Sequence, residues 1–222
     1  MKGLEGDGLM SMMKKEGIKE RDVDRLITDL ILAAGDTTAF STLWALYLIA
    51  THAEVQKNVV KRITSTESSA IIYDPYIRGI IKESLRLYPT APFITRILPE
   101  DSTIANYPVS KGELILLSLY SSGRDEKNFA QPDNFLPERW IRNEKGQYNN
   151  VFNAFASIPF AMGVRSCIGK KLAEAQMIFT LTELIRNFEI ECLNADKIEM
   201  KLHLIAVPSE PMQLKLKSRN TI

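Results

Sequence analysis

Residues 160–169 read Phe160-Ala161-Met162-Gly163-Val164-Arg165-Ser166-Cys167-Ile168-Gly169. A cysteine lies between two glycines, with an arginine two residues before it and a long amphipathic run after it. Gly163 and Gly169 allow the backbone to approach a flat ligand closely. The following run predicts a helix over 168–187, whose positive N-terminal end points toward the sulfur and suits a thiolate, hence a metal ligand. Arg165 can meet a carboxylate of the same ligand through paired hydrogen bonds. Taken alone, the pattern also fits a buried structural thiol. A nucleophilic cysteine fits less well, because His52 and His203 sit in ordinary helix and strand contexts with no visible pairing.

Working outward, the composition limits what Cys167 can be. The 222 residues are 45% hydrophobic and 25% charged with a formal net charge of +1, ordinary for a globular chain with a real core. No charge imbalance points to nucleic acid. The second cysteine, Cys192, is remote, and there is no C-x-x-C or closely spaced histidine, so neither a disulfide framework nor a zinc site is indicated, and a reducing compartment is expected. Residues 1–20 lack the apolar core of a signal peptide, and the apolar run over 26–50 is interrupted by Asp29 and Asp36, which argues against a membrane span. Met1 therefore reads as the edge of a fragment or of a partial gene model.

There are no internal repeats or low-complexity tracts. Val23, Leu26, Ile27, Leu30 and Ile31 mark one face of a long helix over about 20–51, apolar nearly all round in its later turns. At ~1.5 Å per residue it is about 48 Å long, more than a domain of this size needs. Helices are expected over 53–65 and 74–88, the latter ended by Pro89 and Pro92. Residues 93–119 change to short β runs, "FITRIL", "STIANY" and "ELILLSL". The polar, turn-rich meander over about 127–150 carries Phe129, Phe135 and Trp140 and reads as ordered coil on the core. "MKLHLIAV" and "MQLKLK" read as a closing hairpin. The fold class is mainly α with small β-sheets, an α+β arrangement.

Two further constellations stand upstream of the cysteine. Ala33-Ala34-Gly35-Asp36-Thr37-Thr38 places weak helix formers inside an apolar helix. Thr37 can bond back to the Ala33 carbonyl and open room for a small ligand or water, with Asp36 relaying protons beside it; a polar patch at a helix crossing is the plainer reading. Glu83 and Arg86 share a helix face. Their apolar neighbours favour burial, which demands further partners for the guanidinium, and Arg139 in "PERW" is a candidate third member.

Together these motifs resemble the cytochrome P450 family, haem-thiolate monooxygenases, over nearly the whole chain. Phe160, Gly163, Arg165, Cys167 and Gly169 match its haem signature, Glu83 and Arg86 its E-x-x-R, and Pro137, Glu138 and Arg139 its P-E-R, in the family's order. The resemblance implies the C-terminal half of a single P450 domain binding haem b (iron protoporphyrin IX), with O2 as co-substrate. Cys167, in a loop over 159–169, becomes the iron ligand, and Asp36 and Thr37 the proton-delivering pair. Glu83, Arg86 and Arg139 become a structural triad, and Arg96 and Arg165 bind the propionates. One departure is that the family's helix motif places glycine two residues before the acid, whereas here Ala34 stands there and Gly35 follows.

Arg78, Lys82, Lys170 and Lys171 resemble the basic positions with which mitochondrial members dock an adrenodoxin-like 2Fe–2S ferredoxin, though a solvated basic helix face is the plainer reading. That branch implies a hydrophobic substrate such as a sterol or ecdysteroid and the matrix side of the mitochondrial inner membrane, with peripheral membrane association. The endoplasmic reticulum membrane is the alternative location. A haem-thiolate isomerase or dehydratase and a non-catalytic remnant are the rival functions. Because family chains are roughly twice as long, these residues alone are expected to bind haem poorly and to be inactive.

Overall fold

Asp74 begins the helix on which the rest of the chain is assembled. Its carboxylate accepts from the backbone N–H groups of Tyr76 and Ile77 at 2.9 and 3.0 Å, and Pro75 occupies the first turn, where its missing N–H costs nothing. In the computed structural model, which describes residues 8–219, the helices are α1 (Leu9–Lys15), α2 (Glu20–Thr51), α3 (Ala53–Ser65), α4 (Pro75–Leu87), α5 (Leu119–Gly123) and α6 (Lys170–Asn187). The first residues, on which the reading of Met1 as a fragment edge falls, lie outside the described part.

The second half of α2 packs with α3, α4 and α6 around Ile49, Ile77, Ile80, Ile81, Met177, Ile178, Leu181 and Ile185. Trp44 stacks on Tyr88 with ring centroids 4.1 Å apart, and burial pushes the Tyr88 phenol up to about 12. The first half of α2 is largely exposed, with Ile31 and Leu32 at 68% and 74%. No helix among the described residues is long and apolar enough to cross a membrane.

Among the described residues the strands form four two-stranded antiparallel pairs. β1 (Phe93–Ile97) pairs with β4 (Leu114–Ser118), enclosing the hairpin of β2 (Ser102–Ile104) and β3 (Tyr107–Val109). The C-terminal strands depart from the expected hairpin. β6 (Met200–Leu202) turns directly into β7 (Ala206–Pro208), and β8 (Leu214–Ser218) returns to β5 (Phe188–Cys192). The register explains the choice: Lys215 and Lys217 stand opposite Glu191 and Glu189, while Leu216 meets Ile190. Pairing "KLK" with "MKL" would set like charges against each other, whereas "EIE" offers opposite charge and an apolar centre. Gln56 covers the free edge of β5, its amide donating to and accepting from the Ile190 backbone at 3.0 and 2.9 Å.

Between Arg124 and Asn153 only short 3-10 turns and isolated bridges occur, yet this meander is fastened from within. Glu83 is fully buried and accepts five hydrogen bonds. Oε1 receives Arg86 Nη2 (2.7 Å), Arg139 Nε (2.7 Å) and the Leu136 N–H (3.1 Å), and Oε2 receives Arg86 Nε (2.9 Å) and the Trp140 indole N–H (2.8 Å). The two guanidiniums spend their remaining donors on the carbonyls of Gly123, Ala130, Gln131, Pro132, Asn134 and Asn150. Such a cluster is tolerable in a core only when every donor is met. At Gly79 a methyl group would lie 2.5 Å from the Pro137 carbonyl oxygen, so α4 and the meander touch backbone to backbone there.

Glu83→Gln therefore strands two buried guanidiniums and is expected to cost roughly 3–5 kcal/mol in urea unfolding. A loss below about 1 kcal/mol would show that the network is incidental to stability. Gly79→Ala pushes α4 off the meander, with an expected cost of about 1–3 kcal/mol by the same measurement; an unchanged midpoint would contradict the backbone contact.

Candidate functional site

The loop that carries Cys167 is closed at its base by the Cys167 N–H, which donates to the Phe160 carbonyl at 2.8 Å. Inside that closure Ala161 and Gly163 have φ of 56° and 75°. Gly163 meets the left-handed conformation without a side-chain penalty, and a methyl group there would touch nothing within 4 Å. The loop thus turns back on itself while α6 starts at Lys170, with Gly169 as its N-cap.

The sulfur is presented, not buried. Cys167 is exposed, which sets aside the structural-thiol reading. Flanking it in sequence are apolar side chains that water would ordinarily keep inside: Val164 is fully exposed, Ile168 is 84% and Leu172 71% exposed. Exposed apolar side chains grouped on one loop and the turn after it mark a binding face. A thiol rising from an apolar rim, with the Arg165 guanidinium exposed two residues away, fits a flat, largely apolar group that carries a metal and acidic substituents. The residues present therefore suit haem.

On α2 the Thr37 hydroxyl donates back to the Ala33 carbonyl at 2.7 Å, as its position inside the helix suggests. With that proton engaged, Oγ1 is left as an acceptor, and Asp36 is exposed beside it. One turn further on, Ser41 shares a 2.6 Å hydrogen bond with Thr90. The Thr90 carbonyl accepts the Ala206 N–H at 2.9 Å, and the Ala206 carbonyl accepts the Trp44 indole at 3.3 Å. This sequence of bonds holds α2, the segment after α4 and the β6–β7 hairpin together. Arg96 lies exposed on β1 and donates to the Thr95 carbonyl at 2.7 Å.

The basic positions are not equivalent. Lys82 donates to the Tyr148 hydroxyl at 3.3 Å and lies 5.2 and 5.6 Å from the ring centroids of Tyr148 and Trp140. Lys170 sits 5.6 Å over the Phe160 ring. Both line a cavity of about 220 Å³ between α4, the meander, the cysteine loop and α6, together with Trp140, Tyr148 and Glu174. Arg78 faces Glu174 at 4.0 Å, and Lys171 is exposed. Burial works to raise the Tyr148 phenol, but hydrogen bonds and charge from Arg142 and Lys82 outweigh it and leave the group below its usual range. Two ammonium groups, Lys82 and Lys170, and one carboxylate, Glu174, thus stand on the cavity wall.

Among the sequence candidates, the structure brings Glu83, Arg86 and Arg139 into one network and Lys82 and Lys170 to one cavity. Sequence reasoning missed the Leu136 N–H, Trp140, Tyr148 and Glu174. The tryptophan left a trace in "PERW": a buried indole N–H needs an acceptor, and Glu83 was the acceptor already expected nearby.

Comparison with known proteins agrees with this geometry. The cytochrome P450 family model matches residues 6–216. Cytochrome P450 315a1, mitochondrial, of Drosophila melanogaster is 41% identical over 197 residues, covering 89% of this chain and 36% of that protein. The mouse 1,25-dihydroxyvitamin D(3) 24-hydroxylase, mitochondrial, is 34% identical and the cholesterol side-chain cleavage enzyme, mitochondrial, of Hypanus americanus 33% identical; the alignments cover 94% and 93% of this chain but 41% and 40% of those proteins. The chain thus spans about two-fifths of the length of these relatives. A crystal structure of a cytochrome P450 superposes with a TM-score of 0.79 at 24% identity, covering 90% of this chain and 46% of that one. With the sulfur-bearing loop, the Glu83 network and the match over nearly its whole length in agreement, the chain belongs to the cytochrome P450 family.

Proposed function

We propose that this chain forms the haem-holding and oxygen-activating part of a monooxygenase that places one oxygen atom of O2 into a hydrophobic small molecule, a sterol or ecdysteroid-like compound. The observation that carries this reading is the presentation of Cys167 on a closed loop inside an exposed apolar rim. Cys167 Sγ would be the metal ligand, Phe160, Gly163 and Gly169 would shape the loop against the cofactor, and Arg165 and Arg96 would take its propionates. Haem, when bound, supplies the redox-active iron at which dioxygen is activated. Thr37 Oγ1, its own proton committed to Ala33, is left to accept a hydrogen bond from a water. The exposed Asp36 carboxylate exchanges protons with solvent and passes them to that water. Glu83, Arg86 and Arg139 keep the meander in place behind the loop.

The electron donor is an acidic 2Fe–2S ferredoxin, drawn by charge to Arg78, Lys82, Lys170 and Lys171. Support comes from Lys82 and Lys170 on one cavity and from relatives named as mitochondrial; a mitochondrial location follows in this reading, and the matrix side of the inner membrane goes with the ferredoxin. The apolar side chains beside Cys167 are left uncovered by the described residues. Turnover is expected of a polypeptide in which that face is covered, and these residues alone are expected to hold haem weakly.

In that polypeptide, Cys167→Ser is expected to abolish the red-shifted Soret band of the reduced, carbon-monoxide-bound form and product formation with it. Retention of either overturns the assignment of the ligand. Lys171→Glu is expected to slow association with an acidic ferredoxin roughly tenfold at low ionic strength, with the difference vanishing in high salt. An effect independent of salt would argue against steering by charge.

A further inference from the structure

Trp140 has two sides, and only one of them belongs to the buried network. Its indole N–H donates to Glu83 Oε2 at 2.8 Å, inside the core. The ring extends the other way: Tyr148 meets it edge-on at 5.4 Å, Lys82 Nζ lies 5.6 Å from its centroid, and the ring lines the 220 Å³ cavity below the cysteine loop. Phe129 supports it at 6.0 Å. The residue is 8% exposed, so the ring is held firmly, and what rests on it is held as well.

A lysine on a surface ordinarily samples many rotamers, and ordering it costs entropy when a partner arrives. Lys82 is different. It is packed against two aromatic faces, which attract an ammonium, and its Nζ is further tied to the Tyr148 hydroxyl. Its rotamer is selected before any partner binds. Lys170, against the Phe160 ring, lines the same cavity with a second ammonium, and Glu174 lines it with a carboxylate.

We propose that Trp140 is a positioning residue for partner docking: its ring pre-orients Lys82 at the cavity mouth to receive a carboxylate of an acidic protein, while its N–H independently completes the Glu83 network. The inference rests on the ferredoxin reading above for the kind of partner. The two roles use different atoms of one side chain, so substitutions separate them. Trp140→Phe keeps a ring and removes the N–H. Trp140→Leu removes both.

The test uses the longest polypeptide the gene encodes and an acidic 2Fe–2S ferredoxin, with the dissociation constant measured across ionic strength and the thermal midpoint measured in parallel. Both variants are expected to melt lower, Trp140→Phe by roughly 4 °C from the lost bond to a charged acceptor and Trp140→Leu by more, because it also removes a buried ring. Only Trp140→Leu is expected to weaken docking, by roughly three- to fivefold, and the loss is expected to disappear when Lys82→Gln is already present. Restoration of docking, but not of the midpoint, by phenylalanine supports the separation of roles. Equal docking by Trp140→Leu and the unsubstituted protein overturns the inference while leaving the ferredoxin reading intact. An equal docking loss in both variants overturns it too, since the N–H rather than the ring would then matter. Absence of salt-dependent binding by the unsubstituted protein overturns both readings.

Discussion

One carboxylate, that of Glu83, holds the two unlike parts of this molecule together. It is fully buried against two guanidiniums, an indole N–H and a backbone N–H. The arrangement is asymmetric, with one negative charge facing two positive ones in the core. Burying charge in this way is tolerable only if the surplus is shared out, and the sharing is visible. The Gly123 carbonyl at the end of α5 and five backbone carbonyls of the meander turn inward to meet Arg86 and Arg139. Those carbonyls would otherwise lack partners in a segment without regular secondary structure. The charged cluster and the irregular chain each satisfy what the other lacks, which explains how about thirty residues of coil can be ordered without a ladder of their own.

The consequence reaches the site. The meander fixed by Glu83 leads into the cysteine loop, and Trp140 and Tyr148 form a wall of the cavity beneath that loop. Lys82 belongs to the same helix as Glu83, one residue earlier, and is received by the rings of Trp140 and Tyr148. A helix thus presents a buried anion to the N–H of one tryptophan and a half-buried cation to its ring. On α2 the bond sequence through Ser41, Thr90, Ala206 and Trp44 performs a similar service, anchoring the helix that carries Asp36 and Thr37 to strands far along the chain.

The C-terminal strands illustrate how local pattern and pairing partner are separate questions. Alternating "LKLKS" is a strand by periodicity wherever it pairs. Its place beside "FEIEC" follows from the opposite charge offered by Glu189 and Glu191 and the apolar match of Leu216 with Ile190. A hairpin with the nearer "MKL" satisfies chain proximity alone, and charge outweighs it. Gln56, 134 residues before its partner Ile190, completes the edge in a way no local reading contains.

The sequence by itself determined the long helices and most of the β runs, the cysteine loop with its two glycines, the triad of Glu83, Arg86 and Arg139, and the back-bond of Thr37, because each is written in residues close together or in motifs of fixed spacing, whereas the short α1, α5 and β5 were not legible in it. Only the tertiary structure decided which strands pair, that the Glu83 network takes in Trp140 and the Leu136 N–H, that Cys167 stands exposed in an apolar rim, and that Lys82 is gripped by aromatic rings while Lys171 is free to solvent. The physical reason is that burial and hydrogen-bond partnership are properties of surfaces brought together by packing. Residue spacing along the chain sets which faces exist, and the enclosure of those faces sets what each side chain meets.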